Sequence, residues 1–411
     1  MRRRIASEPN WQGIETVNGQ MQGRDYLRIL QEREYARLGM KAQDYRGFPR
    51  LDADRLARAF VKRQRPRSPL EESLPHDATH RYLSGINLTL TDLPTRFENP
   101  FAYAIMAHAT NEIESSAERI FGWKYNVKPT MGSLPLGRVN ASAIRIPFTE
   151  QYIIVFQENL FTFVSLCAKV VAAAIPSDGS VEPATFSYAL HEIDERISSN
   201  QMISTRFTEL LTSYLLEGRP HASGQYALVE PNRTYSEILI QATELFALGH
   251  EHAHAIKGHL TQTMREASSE SAVVDEIPFS WEQEFEADQV GVMLGIASMK
   301  HMGYDTAFGY SGADFFCSAM DIVEQAAGIF RPNTLCPFRN PSHPPWAQRR
   351  AHIRQLLPNA KGSDRAMIPL IVARSIEHIL TRLWTTARQT LIASQHAGAN
   401  LSPIWTGRLD Q

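Results

Sequence analysis

Cysteine is scarce in this 411-residue chain, which contains Cys167, Cys317 and Cys336 and no others. An odd number of widely spaced cysteines does not form the paired framework of small secreted domains. Such sparse use is typical of proteins from a reducing compartment. The sequence therefore predicts a cytoplasmic protein.

Long apolar runs are also missing. The most apolar segment, Leu160 to Ile175, contains Ser165 and Lys169 and is too short to cross a bilayer. The basic start, MRRRIASEPNWQG, is not followed by the apolar stretch of a secretory signal. These two absences argue against a membrane-spanning or secreted protein.

A strong charge of one sign is missing from the chain as a whole, whose formal net charge is −2. A nucleic-acid partner is therefore not indicated. Residues 1–68 nevertheless carry 16 Lys and Arg against 8 Asp and Glu. This basic region could bind a partner, or it could be a helical segment that is solvated or docks on the rest of the chain.

Internal repeats and low-complexity tracts are absent, and composition shifts predict three regions. These are a basic helical region with a Pro-rich linker (1–75), a main domain (76–365) and a C-terminal helical segment (366–411). Residues 176–232, with Pro-, Gly- and Ser-rich patches, are interpreted as an insertion. Helical periodicity dominates, with strands predicted at Tyr82–Leu93 and as a pair within residues 140–157. The expected fold class is α+β, predominantly helical.

Two long helices are expected to begin with a capping box. Thr234 is followed three residues later by Glu237, and Ser280 is followed three residues later by Gln283. In this pattern the first side chain caps the helix and the second returns to the backbone of the cap.

The first of these helices contains His250-Glu251-His252-Ala253-His254, which has the form HExxH. On a helix, positions i and i+4 lie about 40° apart around the axis, so His250 and His254 can bind one metal ion. Glu251 can reach a water molecule at that ion as general base. The alternative is an ordinary polar turn of a helix.

The second helix contains Glu284-Phe285-Glu286-Ala287-Asp288, or ExxAD. A catalytic zinc ion takes three protein ligands and keeps one position open, and Glu284 would supply the third ligand. Asp288 lies one turn later on the same face, where it can fix the tautomer of a ligand histidine. Glu286 is expected to face away from the metal. The two motifs predict a Zn²⁺ site of His250, His254 and Glu284.

HExxH followed by ExxAD resembles the gluzincin metallopeptidases, and most closely the Lit-type phage-exclusion peptidases. The resemblance covers roughly residues 140–160 and 234–356, with His259 after the first motif and His343-Pro344 with Arg349 in the segment SHPPWAQRRAHI. It implies a minimal zincin-like peptidase core with extra N- and C-terminal helices. That core has an active-site helix, a glutamate helix and a small sheet, whose substrate-binding edge strand would be Tyr152, Ile153, Ile154 and Val155.

Several neighbouring residues have more than one interpretation. His343 could stabilise an oxyanion, occupy a fourth metal position in a resting state, or be a loop residue without a role. Arg349 could assist the oxyanion or anchor the following helix. His259 is expected to be structural or to support a ligand, and His252 to pack or lie at the surface, since both are off the ligand face.

The predicted function is a zinc-dependent endopeptidase acting on a protein or peptide substrate. One alternative is a zinc-binding module without catalysis, and another is a regulatory or toxin-like protein that uses the basic region. Glu251 argues against the zinc module, because a structural site needs no base and tends to be closed by four ligands.

Overall fold

The computed structural model describes residues 16–17, 20–39, 53–77, 79–80, 93–135, 141–146, 149–180, 183–262, 280–331, 343–357 and 364–406. These residues form a predominantly helical α+β fold with small sheets, as the sequence predicts. The strand predicted at Tyr82–Leu93 lies outside the described residues, apart from Leu93.

The described helices are α1 Gly23–Arg37, α2 Ala53–Arg63, α3 Pro100–Phe121, α4 Leu160–Ala174, α5 Leu190–Ser199, α6 Gln201–Leu216, α7 Asn232–Ile256, α8 His259–Gln262, α9 Trp281–His301, α10 Thr306–Ile329, α11 Trp346–Gln355, α12 Asp364–His396 and α13 Pro403–Thr406. The described strands are β1 Thr16–Val17, β2 Gln20–Met21, β3 Glu71–Glu72, β4 Thr130–Leu134, β5 Ala141–Arg145, β6 Tyr152–Gln157, β7 Ser177–Asp178, β8 Thr185–Phe186 and β9 Ala227–Leu228.

The three-stranded sheet has the order β4–β6–β5, with β6 parallel to β4 and antiparallel to β5. The strand pair predicted within residues 140–157 is therefore present as β5 and β6. The prediction that Tyr152–Val155 form the edge strand is wrong, because Ile153 pairs with Thr130 on one side and with Ile144 on the other. A central strand uses its backbone hydrogen-bonding groups on both sides and has none to offer a substrate.

Side chains of β6 alternate between the two faces of the sheet, as the pleat requires. Ile153 and Val155 are buried against α1, whose Tyr26, Leu27 and Leu30 cover that face. Ile154 belongs to a second core, which includes residues of α3, α7 and α9. The α1 part of the basic region therefore docks on the protein's own sheet, as one of its two interpretations expected.

Helix α7 lies at the centre of the helical layer and packs against α3, α4, α9 and α10. Its buried residues occupy several faces, which is typical of a helix surrounded by other elements. The capping box predicted at Thr234 is wrong. The helix begins earlier, at Asn232, and the backbone N–H of Thr234 donates instead to the Glu230 carboxylate at 3.2 Å.

Helix α9 begins as predicted. The Ser280 hydroxyl accepts a hydrogen bond from the Gln283 backbone N–H at 3.3 Å, and the Gln283 side chain accepts one from the Ser280 N–H at 2.9 Å. This capping box places the first turn of α9, with Glu284, at a defined position.

Helix α12, in the predicted C-terminal segment, packs against α10 and α6. Arg354 of α11 joins these layers. Its guanidinium donates to Asp314 of α10 at 2.7 and 2.8 Å and to Glu377 of α12 at 2.7 Å. Helix α11, which also carries Arg349, is thereby held between its neighbours. The division of the chain into three regions stays a prediction.

None of the described helices combines the length and the apolar character that crossing a membrane requires. Cys167 and Cys317 are buried thiols without a disulfide, and Cys336 lies outside the described residues.

Candidate metal centre

The candidate metal centre lies where α7 crosses α9, and two glycines let their backbones meet. A β-carbon on Gly291 of α9 would lie 3.0 Å from the His250 backbone nitrogen, and one on Gly249 of α7 would lie 3.2 Å from the Gly291 carbonyl oxygen. Larger residues would force the two helices apart. Their close approach brings His250 and His254 within reach of Glu284.

The atoms of these three side chains converge. The Nε2 atoms of His250 and His254 lie 3.2 Å apart. Glu284 Oε2 lies 3.5 Å from His250 Nε2, and Glu284 Oε1 lies 3.6 Å from His254 Nε2. The three residues are buried, and one ligand atom from each lies within 4.8 Å of the others. This group could hold a metal ion.

Glu284 provides the test of whether a metal fits. Its side chain is 0% exposed, and neither carboxylate oxygen has a hydrogen-bond partner among the described residues. Burial alone would raise its pKa, but His250, Arg349 and His343 hold that pKa well below its usual range, so the group is ionised. A buried carboxylate without hydrogen bonds is costly. A divalent ion bound jointly with the two imidazoles would satisfy it.

Asp288 supports His250. Its Oδ1 lies 3.0 Å from His250 Nδ1. Arg349 also donates to Asp288, from Nε at 2.9 Å and from Nη2 at 2.5 Å. Burial would raise the pKa of Asp288, but Arg349 and His250 lower it. An ionised carboxylate at Nδ1 leaves His250 Nε2 for a metal.

The contacts of Arg349 fit a residue that holds α11 in place better than one that donates to a substrate oxyanion. Besides its bonds to Asp288, its Nη1 lies 3.5 Å from Glu284 Oε2, and its guanidinium stacks over the Trp346 ring at 4.3 Å. The side chain is buried. This arrangement favours the interpretation that Arg349 fixes α11 against α9.

His254 has a different support, which His259 provides in one of the two roles expected for it, whereas the part played by Glu286 was not predicted. Nδ1 of His254 lies 3.0 Å from Nδ1 of His259, whose Nε2 lies 3.0 Å from Glu286 Oε2. Glu286 faces away from the metal ligands, as expected, but it contacts His259. A sequence signal was present in a histidine five residues after His254 and a glutamate two residues after Glu284.

Glu251 lies next to the three candidate ligands. Its Oε2 accepts a hydrogen bond from the backbone N–H of Ala143, in β5, at 2.7 Å. Burial raises the pKa of Glu251 to about 7, although the neighbouring His250 opposes this rise. A carboxylate with a pKa near neutrality is suited to accept and return a proton.

His252 is a packing residue, one of the two roles expected for it. It is buried, and its Nδ1 lies 2.8 Å from the Tyr125 hydroxyl. Burial, with a smaller effect from Lys128, lowers the pKa of His252 to about 3, so the ring is neutral.

A cleft opens above the candidate ligands, and His343 lies beside it. The His343 side chain is 20% exposed, and its Nε2 lies 3.3 Å from Glu284 Oε1. His343 therefore lies close to a candidate metal ligand, and its three interpretations stay predictions. The cleft is also lined by Ala141, Ser142, Ala143, Ile144, Phe246, Ala247, Phe316 and Trp346. Its strand wall is therefore β5, and Tyr152–Val155 are not among the lining residues.

No protein-family model matches this chain, and neither does any curated protein or solved structure with which it was compared. A function must therefore follow from the chemistry of the site itself.

Proposed function

We propose that this protein is a zinc-dependent endopeptidase of the gluzincin type, with a zincin-like core formed by α7, α9 and the β4–β6–β5 sheet. His250, His254 and Glu284 hold the zinc ion. The observation that carries this proposal is the buried Glu284 carboxylate, which faces two imidazole nitrogens and has no hydrogen-bond partner in the described part of the chain. Two imidazoles and one carboxylate suit zinc and leave a coordination position for chemistry.

Glu251 is the proposed general base. When bound, zinc acts as a Lewis acid that acidifies water and polarises a carbonyl group. Glu251 accepts the proton of the attacking water and passes it to the leaving amine. The Ala143 N–H holds one oxygen of its carboxylate, which leaves the other for proton transfer. This use of Glu251 separates a peptidase from a purely structural zinc module.

If His343 acts in the reaction, it donates a hydrogen bond to the substrate oxygen that develops negative charge. A hydrogen-bond donor at that position contributes most when it is already in place before the reaction. Its 3.3 Å distance from Glu284 is equally suited to a fourth ligand in a resting state. These two roles make opposite predictions for the activity of a variant without the imidazole.

Strand β5 is the proposed substrate-binding edge, in place of β6. Successive residues of an antiparallel strand direct their backbone groups alternately to the partner strand and away from it. The Ala143 N–H points away from β6, to Glu251. Ala141 and Arg145, two residues to either side, therefore direct their backbone N–H groups to the same side of β5, where no further strand pairs with it among the described residues. An extended substrate can add there as a further strand. Phe246, Phe316 and Trp346 in the lining favour an apolar side chain beside the cleaved bond.

The test compares purified wild type with Glu251→Gln and His254→Ala, after circular dichroism has shown that all three fold. Wild type and Glu251→Gln should contain about one zinc ion per chain, and His254→Ala should have lost it. Cleavage of protein substrates can be followed as new N-termini in cells that express each variant. Wild type should produce these N-termini, and Glu251→Gln should produce them about 10²–10⁴-fold more slowly. Zinc retained by His254→Ala, or undiminished cleavage by Glu251→Gln, contradicts the proposal.

The docking of α1 on the sheet weighs against the alternative of a regulatory protein that uses residues 1–68 as a free arm. A role in phage exclusion, implied by the Lit-type resemblance, and the cytoplasmic location remain predictions.

A further inference from the structure

The two histidines of the metal site are supported in different ways. Nδ1 of His250 contacts a carboxylate directly, at Asp288. Nδ1 of His254 instead contacts a second imidazole, His259, which in turn contacts the Glu286 carboxylate. We propose that His259 and Glu286 position His254 for the metal ion. This role rests on the metal site of the proposed function, and it makes His259 and Glu286 positioning residues rather than ligands.

One arrangement of protons satisfies this chain of side chains when His254 binds a metal. His254 must direct the lone pair of Nε2 to the ion, so its Nδ1 carries the proton. His259 Nδ1, 3.0 Å away, must then accept that hydrogen bond. The proton of His259 is consequently on Nε2, 3.0 Å from Glu286 Oε2. The chain therefore selects the tautomer of His254 that can bind a metal.

The end of α7 is built to place His259 there. Lys257 closes the helix, and Gly258 follows with φ of +71°, a left-handed conformation that favours glycine. This turn returns the chain so that the His259 side chain is 3% exposed, against His254. Gly258 thus links the end of the metal-binding helix to the support of its second histidine.

In this series of three side chains, Glu286 is more exposed than His259. The Glu286 side chain is 44% exposed, and Lys257 Nζ lies 2.7 Å from its Oε1. Because Glu286 acts through His259 and is partly solvated, its contribution should be the smaller of the two. His259 and Glu286 should also be non-additive, because they form one connected network.

The experiment measures zinc affinity of the purified full-length chain by competition with a chromophoric chelator, without any substrate. His259→Ala should lower the affinity by about 10–100-fold, the usual effect of losing a partner of a ligand histidine. Glu286→Ala should lower it less, and adding Glu286→Ala to His259→Ala should cause no further loss. The visible spectrum of the cobalt(II)-loaded protein should change in the same order, because it responds to the geometry of the ligands.

Two variants serve as controls. His259→Asn places an amide oxygen where Nδ1 stands, so it should retain the bond to His254 and most of the affinity while making Glu286 irrelevant. Glu282→Ala removes the same charge from α9, two residues before Glu284 instead of two after it, at an exposed position. It should leave zinc affinity unchanged.

Wild-type affinity in His259→Ala, or a further loss when Glu286→Ala is added to it, overturns the proposal. If His259→Ala does not fold, equal affinities of Glu286→Ala and Glu282→Ala overturn it instead. A wild type that binds zinc but cleaves nothing refutes the peptidase and leaves the positioning role standing. If wild type cleaves its substrate but His259→Ala has the same zinc affinity as wild type, only the positioning role is refuted.

Discussion

Asp288→Ala should be among the most damaging single changes near the metal centre. Asp288 is fully buried and contacts two side chains, through His250 Nδ1 at 3.0 Å and through Arg349 Nε and Nη2 at 2.9 and 2.5 Å. Its removal leaves the buried Arg349 guanidinium without the carboxylate that accepts its hydrogen bonds, and with only the 3.5 Å ion pair to Glu284 Oε2 among the described residues. Removing one partner of a buried ion pair typically costs about 3–5 kcal/mol of folding free energy.

The same change should weaken metal binding by a separate route. Without Asp288, the His250 Nδ1 proton loses the carboxylate that accepts it, and the donor Nη2 of Arg349, 3.2 Å away, favours the other tautomer. Loss of a partner of this kind lowers metal affinity by about 10–100-fold. That factor corresponds to about 1.4–2.7 kcal/mol of binding free energy. The two effects can be separated by measuring urea unfolding with chelator present and zinc affinity in a second experiment.

Arg349→Leu and Glu118→Ala make the test specific. The double variant Asp288→Ala/Arg349→Leu should be more stable than Asp288→Ala, because it removes the uncompensated charge as well. Glu118 forms an exposed pair with Lys124 at 2.6 Å, so Glu118→Ala should cost about 0–1 kcal/mol. Equal stability losses for Asp288→Ala and Glu118→Ala, or a double variant less stable than Asp288→Ala, would refute the reasoning.

Four further predictions concern other parts of the site and the core. If His343 stabilises the transition state, His343→Ala should lower kcat by about 10²–10³-fold with zinc content unchanged. If His343 is instead a metal ligand in a resting state, the same variant should have higher basal activity. An unchanged kcat and an unchanged zinc content would exclude both roles. Chelation should lower the melting temperature of wild type, because the metal binds only the folded chain, but not that of His254→Ala; equal shifts would argue against the ligand set. Gly291→Ala should weaken zinc binding by pushing α7 and α9 apart, while Gly295→Ala, whose new β-carbon would lie 3.7 Å from its nearest neighbour, should not. Burial raises the pKa of Glu98 from 4.5 to about 7, so between these values the folded state binds more protons than the unfolded state. Stability to urea should therefore fall as the pH rises through this range, by at most about 3 kcal/mol, and Glu98→Gln should abolish the fall.

Local pattern was sufficient for the elements that carry the candidate ligands. Helical spacing alone places His250 and His254 on one side of α7, and the Ser280 capping box marks the start of α9. The apolar run that begins at Leu160 forms α4, Leu160–Ala174. These features depend on contacts within one or two turns, which the neighbouring residues determine.

The failed prediction of the substrate-binding edge strand depended on contacts beyond that range. Tyr152–Val155 form a continuous apolar run, which is typical of a buried strand. Their place in the sheet depends on β4, whose sequence TMGSL contains glycine and gives a weak strand signal. The predicted cap at Thr234 failed for a local reason. The helix begins two residues earlier, at Asn232, and Glu230 accepts hydrogen bonds from the Thr234 backbone N–H and hydroxyl at 3.2 and 2.9 Å.

What the sequence by itself determined is the set of chemical groups and the helices that present them. The tertiary structure alone decided which groups meet. It brought His343 and Arg349 to Glu284, paired His259 with Glu286, and placed β5 beside the cleft. Helical periodicity is a property of neighbouring residues, whereas these meetings depend on how whole helices and strands pack, which the free energy of the entire core selects.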